Sequence, residues 1–320
     1  MKKLVALLVC LTLLLTFAVG LGEAEKPYTF GVSLFYRSDE FYIDIENMMK
    51  VYAEEIGVEL IIQDANTDSS VQLRQFEDFI QMGVDAIVFS PCDPAACVPA
   101  IESANAAGIP VFTYDGVVED KSLIASGMYS DFYADGYAAG TWAKGYIEKN
   151  LGGSAKVALL DYPLSPVVCG LRADGFSDAV SELEGVEIVA RQDGHATRTG
   201  GMEVMETILT ANVNDVDLVF AINYESGAGA ASAIESAGAD CAVVCVAWGK
   251  EALEKLDAGD PYIKALLLGD PSDQAEIIKI AKDYLDGKEV PAESGYSYYI
   301  VEHDTLNDLI DWRFIIDMRG

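Results

Sequence analysis

The sequence predicts an α/β fold of two lobes, each a doubly wound parallel sheet covered by helices on both faces. Three observations carry this. Short, near-continuous apolar runs alternate with segments whose apolar residues recur at helical spacing. After four strands the rhythm restarts. The halves also echo each other. Val84-Asp85-Ala86-Ile87-Val88-Phe89 resembles Val216-Asp217-Leu218-Val219-Phe220, and Ala100-Ile101-Glu102-Ser103-Ala104 resembles Ala233-Ile234-Glu235-Ser236-Ala237, at offsets of 132 and 133 residues. Two lobes of similar construction explain the echo; alanine-rich helix composition is its other possible source. A length of 320 residues also favours two domains.

Phe30–Phe35 is the first strand. Phe41–Ile56 is a helix, because Ile45, Met48, Met49, Tyr52 and Ile56 recur on one face, and Gly57 stops it. Val58–Ile62 is the next strand. Val71–Met82 is a helix with Leu73, Phe76, Phe79 and Ile80 on its apolar face, ended by Gly83. Ala86–Phe89 is a strand, Ala95–Ala107 a helix closed by Gly108, and Val111–Tyr114 a strand. The second series runs through helix Tyr133–Asn150, strand Val157–Leu160, helix Gly175–Glu182 and strand Val186–Ala190. Helix Met202–Thr210, strand Leu218–Ile222, helix Gly227–Ala237, strand Ala242–Ala247 and helix Glu251–Ala258 continue it.

Composition narrows the function. The chain is 51% hydrophobic and 23% charged, an ordinary globular balance, with a formal charge of −31. Such a surface repels phosphate backbones, so no nucleic-acid partner is expected. Residues 1–24 read as an export signal: Lys2 and Lys3, an apolar stretch from Leu4 to Leu21, and small residues before a cut after Ala24 or, alternatively, Gly20. A retained membrane anchor is the competing reading of that stretch. The mature protein is then soluble and lies in the periplasm or another extracytoplasmic space. Its five cysteines, Cys92, Cys97, Cys169, Cys241 and Cys245, are odd in number. Cys241 and Cys245 share one strand, roughly 13 Å apart at 3.3 Å per residue, beyond disulfide reach. They read as small buried hydrophobes. Cys92 and Cys97 flank a loop and could pair.

Strand ends are where such sheets hold ligands, so two lobes put a cleft between them. Asp39, Phe41 and Tyr42 follow the first strand; a carboxylate with paired aromatics suits a polar ligand with apolar faces. The same residues also suit a helix cap and a core aromatic. Asp115 ends the fourth strand as a two-oxygen acceptor for vicinal hydroxyls, or as a turn residue. Arg172 offers a planar donor fork, or a helix-face pair with Asp174 or Asp178. Asn223 suits a hydroxyl, or an N-cap. Trp248 stacks on a ligand or packs between lobes. Enzyme signatures are weak. His195 and His303 are far apart, and neither a G-x-S-x-G elbow nor a G-x-x-x-x-G-K-[ST] loop occurs. Gly227-Ala228-Gly229-Ala230-Ala231-Ser232 mimics a dinucleotide fingerprint only in part. The acidic residues are not spaced as a calcium loop, and no metal or cofactor is expected.

Ile80-Gln81-Met82-Gly83-Val84-Asp85-Ala86-Ile87-Val88-Phe89-Ser90-Pro91 and Ala107-Gly108-Ile109-Pro110-Val111-Phe112-Thr113-Tyr114-Asp115 resemble the ribose/galactose-type periplasmic sugar-binding proteins, solute receptors of ABC importers. The likeness runs from about Thr29 to Gly287. It implies type I periplasmic binding protein architecture: two Rossmann-like lobes, a three-segment hinge, and closure on a ligand. Sugar-responsive repressors are relatives, but they carry a helix-turn-helix where this chain carries an export signal. The resemblance puts Phe41 and Tyr42 on the sugar-stacking aromatics, Asp115 on the hydroxyl-binding Asp, Arg172 in the Arg-x-x-Gly-Phe pattern and Asn223 on the Asn after the Val-Phe-Ala strand. The chain departs from the pattern elsewhere. Gly116 replaces an Arg, Trp248 stands where Asp is expected, Gly269 and Asp270 replace a Gln, and His195 and Ala196 replace an aromatic.

The expected protein is thus a monomeric, non-enzymatic solute receptor with lobes 28–127 plus 270–294 and 128–269 plus 295–320. Its ligand is a sugar, a nucleoside-like molecule or a cationic metabolite, and its partner an ABC permease or a membrane sensor. A sensory receptor and a nucleotide-cofactor enzyme are the alternatives. Tyr296–Val301 and the alternating Trp312, Phe314 and Ile316 extend beyond the usual family ending.

Overall fold

The computed structural model describes residues 27–296 and 298–309; the expected export signal and the expected alternation at Trp312, Phe314 and Ile316 lie outside the described residues. The first sheet contains β1 (Thr29–Leu34), β2 (Glu59–Asp64), β3 (Ala86–Phe89), β4 (Val111–Tyr114), β5 (Ser126–Tyr129) and β11 (Glu293–Gly295), in the order β11-β5-β4-β3-β1-β2. The second contains β6 (Ser154–Asp161), β7 (Gly185–Asp193), β8 (Leu218–Ala221), β9 (Ala242–Ala247), β10 (Ile263–Gly269) and β12 (Tyr298–Glu302), in the order β12-β10-β9-β8-β6-β7. All pairings are parallel except β10 with β12.

Alternation along each strand feeds two cores. Val157 and Leu159 of β6 meet Phe176 of α5 (Leu171–Val180), while Ala158 and Leu160 face Met205 of α6 (Arg198–Ala211). In the first sheet, Phe30, Val32 and Leu34 pack on Ile45 and Met49 of α1 (Glu40–Ile56). On its other face Ile87 and Phe89 pack on Phe76 and Phe79 of α2 (Ser69–Met82). Both sheets are therefore covered on both sides, as near-continuous apolar strands require.

The remaining helices are α3 (Val98–Ala106), α4 (Phe132–Asn150), α7 (Tyr224–Ala237), α8 (Lys250–Asp257), α9 (Pro271–Ala275), α10 (Ile277–Leu285) and α11 (Leu306–Leu309). Helix α3 starts later than its apolar pattern suggests, because Pro99 is accommodated only in a first turn. Periodicity assigned neither β5 nor β10, and neither α9 nor α10. Ser126-Gly127-Met128-Tyr129 has no apolar run, and its partners β4 and β11 make it a strand. The chain passes between sheets three times: after β5, after β10, and between β11 and β12. First-sheet pairing continues to Tyr129 and Gly295.

Among the described residues all five cysteines are free, so Cys92 and Cys97 do not pair, and Cys241 and Cys245 are buried. The partial fingerprint at Gly227 and Gly229 lies inside α7. A Cβ at Gly227 would stand 3.0 Å from the Cys245 sulfur, so this glycine serves close packing. No helix among the described residues is long and apolar enough to cross a membrane.

Candidate ligand site

Asp115 follows β4 with φ 58°, a left-handed conformation uncommon outside glycine, in which Asp and Asn are enriched. Its carboxylate accepts hydrogen bonds from three separate segments of the chain. Tyr42 of α1 donates its hydroxyl to Oδ2. Tyr296 Oη donates to Oδ1 at 3.3 Å, and Gln274 Nε2 of α9 reaches the same oxygen at 3.5 Å. Burial, then the Asp115 charge, pushes the Tyr42 phenol well above its usual range, so it is a donor at every physiological pH. Gln274 is fully buried and its Oε1 has no partner.

Beside this group stands an aromatic wall. The Tyr36 and Tyr42 ring centres are 5.1 Å apart, Phe35 lies 5.2 Å from Tyr36, and Phe41 lies 5.6 Å from Tyr42. Asp39 caps α1 by accepting from the Phe41 N–H at 2.8 Å, and it accepts from the Tyr36 hydroxyl at 3.1 Å. Burial raises its carboxyl above the ordinary range.

The second lobe contributes Arg172. Its side chain is 7% exposed, and its guanidinium lies 5.0 Å from the Phe132 ring centre and 4.3 Å from that of Tyr298. The Asp135 carboxylate is 3.9 Å from Nη2, an ion pair too long for a hydrogen bond, and is itself held by Ser130 Oγ at 2.5 Å. Nε and Nη2 have no hydrogen-bond partner. Burial opposes the charge, but Tyr298 and Asp135 outweigh it and raise the pKa. Arg172 is brought here by a glycine seam between α4 and α5. A Cβ at Gly136 would collide with the Arg172 carbonyl, and one at Gly175 with the Tyr133 carbonyl.

Arg172 pairs with neither Asp174 nor Asp178. Arg191 occupies Asp174 at 2.5 Å and Asp161 at 2.7 Å, and the Tyr133 hydroxyl donates to Asp178 at 2.8 Å. Asp39, Phe41, Tyr42, Asp115 and Arg172 thus stand at the facing ends of the two lobes. Asn223, Asp270 and Trp248 have their polar groups engaged elsewhere. Asn223 caps α7, accepting from the Ser226 N–H at 3.1 Å and donating to the Ala196 carbonyl at 2.8 Å. Asp270 caps α9, accepting from the Ser272 N–H at 2.8 Å. Trp248 Nε1 donates to Asp44 on the opposite lobe at 2.7 Å. Sequence reasoning missed Phe132, Asp135, Gln274, Tyr296 and Tyr298. The only signal for the tyrosines was the aromatic run at the final crossing.

Residues 30–289 match the family described as periplasmic binding protein domain. The chain is 33% identical to the ribose import binding protein of Bacillus subtilis, over 91% of this chain and 95% of that one. It is 29% identical to the galactofuranose-binding protein of Escherichia coli, over 78% and 77%. An ABC transporter solute-binding protein from Bacillus halodurans with bound myo-inositol has a TM-score of 0.79 at 26% identity, covering 90% of this chain and 98% of that one. The binding component of an arabinose ABC transporter from a Shewanella species, bound to L-arabinofuranose, has a TM-score of 0.80 at 26% identity, covering 91% and 96%. On this match over most of its length, the chain belongs to the periplasmic binding protein family, in its ribose/galactose-type sugar-binding group.

Proposed function

We propose that this protein is an exported solute receptor that closes on one sugar or sugar-like molecule and presents it to an ABC importer. The observation that carries the reading is Arg172: a buried guanidinium set between two aromatic rings, with two nitrogens that have no hydrogen-bond partner. A buried charged donor left without acceptors is costly, and ligand oxygens supply those acceptors. Asp115, held by Tyr42, Tyr296 and Gln274, accepts a ligand hydroxyl through its remaining lone pair on Oδ2. Phe41, Tyr36, Tyr42 and Phe132 offer ring faces to the apolar side of a sugar. Asp39 holds Tyr36, while Asn223 and Asp270 stabilise the helices that border the cleft. The lobes part where the chain changes sheet, near 127–131, 269–271 and 294–298. Ligand contacts to both lobes favour the closed form, since only differential binding shifts a population.

The test is a thermal-shift screen of ligand-free protein, residues 25–320, against ribose, arabinose, galactose, myo-inositol, nucleosides and cationic metabolites. A sugar at 100 times Kd raises stability by about 2.7 kcal/mol, a clear shift in melting temperature. Stabilisation by nucleosides or cations alone overturns the sugar reading.

A further inference from the structure

One contact between the lobes uses none of the residues that grip the ligand. Trp248 ends β9 on the second lobe, and Asp44 lies on α1 of the first. The indole N–H donates to Asp44 Oδ2 at 2.7 Å, with Asp44 fully buried and Trp248 8% exposed. The next residue, Gly249, has φ 117°, and a Cβ there would stand 2.6 Å from Glu40 Oε2. The glycine lets the backbone approach, and the Lys250 N–H at the start of α8 donates to that same oxygen at 2.6 Å. Phe41 lies between these two bonds in sequence and packs against the buried clusters of both lobes. Glu40 and Asp44 are four residues apart, so they share one face of α1.

We propose that Trp248 and Asp44 are a positioning pair that latches the lobes together independently of ligand and thereby sets affinity for every ligand alike. The latch raises the fraction of receptor already in the binding-competent closed form. The apparent Kd scales inversely with that fraction. A buried hydrogen bond to a carboxylate is strong enough for its loss to change the closed-to-open ratio by about tenfold or more.

The experiment compares wild type with Trp248→Phe, which deletes the N–H, with Asp44→Ala, which deletes the acceptor, and with the double variant. Small-angle X-ray scattering of ligand-free protein reads lobe closure. Titration calorimetry reads affinity for ribose, arabinose, galactose and myo-inositol. The expected result is a compact ligand-free wild type and expanded variants that compact again with ligand. Affinities fall by about tenfold or less, by one common factor for all four probes, and the double variant is no worse than either single one. A ligand-free wild type as expanded as the variants overturns the latch. So does a change that reorders the four affinities, because Trp248 then touches the ligand. The affinity arm rests on the proposed function but the scattering arm does not: if no probe binds while the variants expand, the latch stands and the sugar reading falls. Melting curves establish that each variant folds, and if Trp248→Phe fails to, Asp44→Ala decides alone.

Discussion

The Arg172 guanidinium rests 4.3 Å from the centre of the Tyr298 ring. Arg172 is in the first turn of α5, whereas Tyr298 opens β12, the antiparallel strand laid on β10 after the final crossing. A desolvated cation over a ring is worth about 2 kcal/mol, which holds the guanidinium in one orientation with its free nitrogens available. The antiparallel strand of the second sheet therefore completes the proposed ligand site.

Replacing Arg172 by Ala, or Asp115 by Ala, is expected to weaken sugar binding by about 1–3 kcal/mol each, read by titration calorimetry. Unchanged affinity in both variants rejects the site.

Two glycines on α4 make a matched pair. At Gly136 a Cβ has no room against the α5 backbone, whereas at Gly145 nothing lies within 4 Å. Gly136→Ala should lose about 1–3 kcal/mol of stability and weaken binding, because α5 carries Arg172. Gly145→Ala should gain up to about 1 kcal/mol from helix propensity and leave binding unchanged. Chemical denaturation of both variants provides the comparison, and similar behaviour at the two positions refutes the seam.

Asp273 titrates unusually. Burial, then the neighbouring Asp270 and Glu276 charges, pushes its carboxyl up to about 6. The folded state therefore holds this proton more tightly than the unfolded chain does. The contribution is fully present below about pH 4, falls as pH rises, and is lost above about pH 6. Asp273→Asn should be more stable than wild type at pH 7, by about 1 kcal/mol after allowance for solvent screening, and no more stable at pH 3.5. Melts at the two pH values test the sign.

Cys245 is fully buried against α7, and burial pushes its thiol up to about 12. In the folded protein it should resist alkylation at pH 8. Cys245→Ser should cost about 1–3 kcal/mol of stability by burying a hydroxyl, with ligand affinity retained. A loss of affinity at constant stability contradicts this packing role.

Strands and helices were legible because their periods are local. Val157 and Leu159 alternate with Ala158 and Leu160 whatever the rest of the chain does, and Gly57 and Gly83 end helices through their own backbone freedom. The capping roles of Asp39 and Asn223 were legible for the same reason, as each bonds an N–H two or three residues ahead, whereas the cap that Asp270 makes was missed together with α9. The proposed ligand roles were not. Arg172 is freed for the cleft because Arg191 takes Asp174, and Asp115 is braced by Tyr42, Gln274 and Tyr296. Trp248 and Asp44 meet across 204 residues of chain. Such pairings depend on sheet register, on the glycine seam of α4 and α5, and on where three crossings set one lobe against the other. The sequence by itself determined most of the elements, the caps at Asp39 and Asn223 and the family; only the tertiary structure decided β5, β10, α9 and α10, which polar groups satisfy one another and which stay unpaired at the candidate site, because that depends on contacts between segments with no local pattern in common.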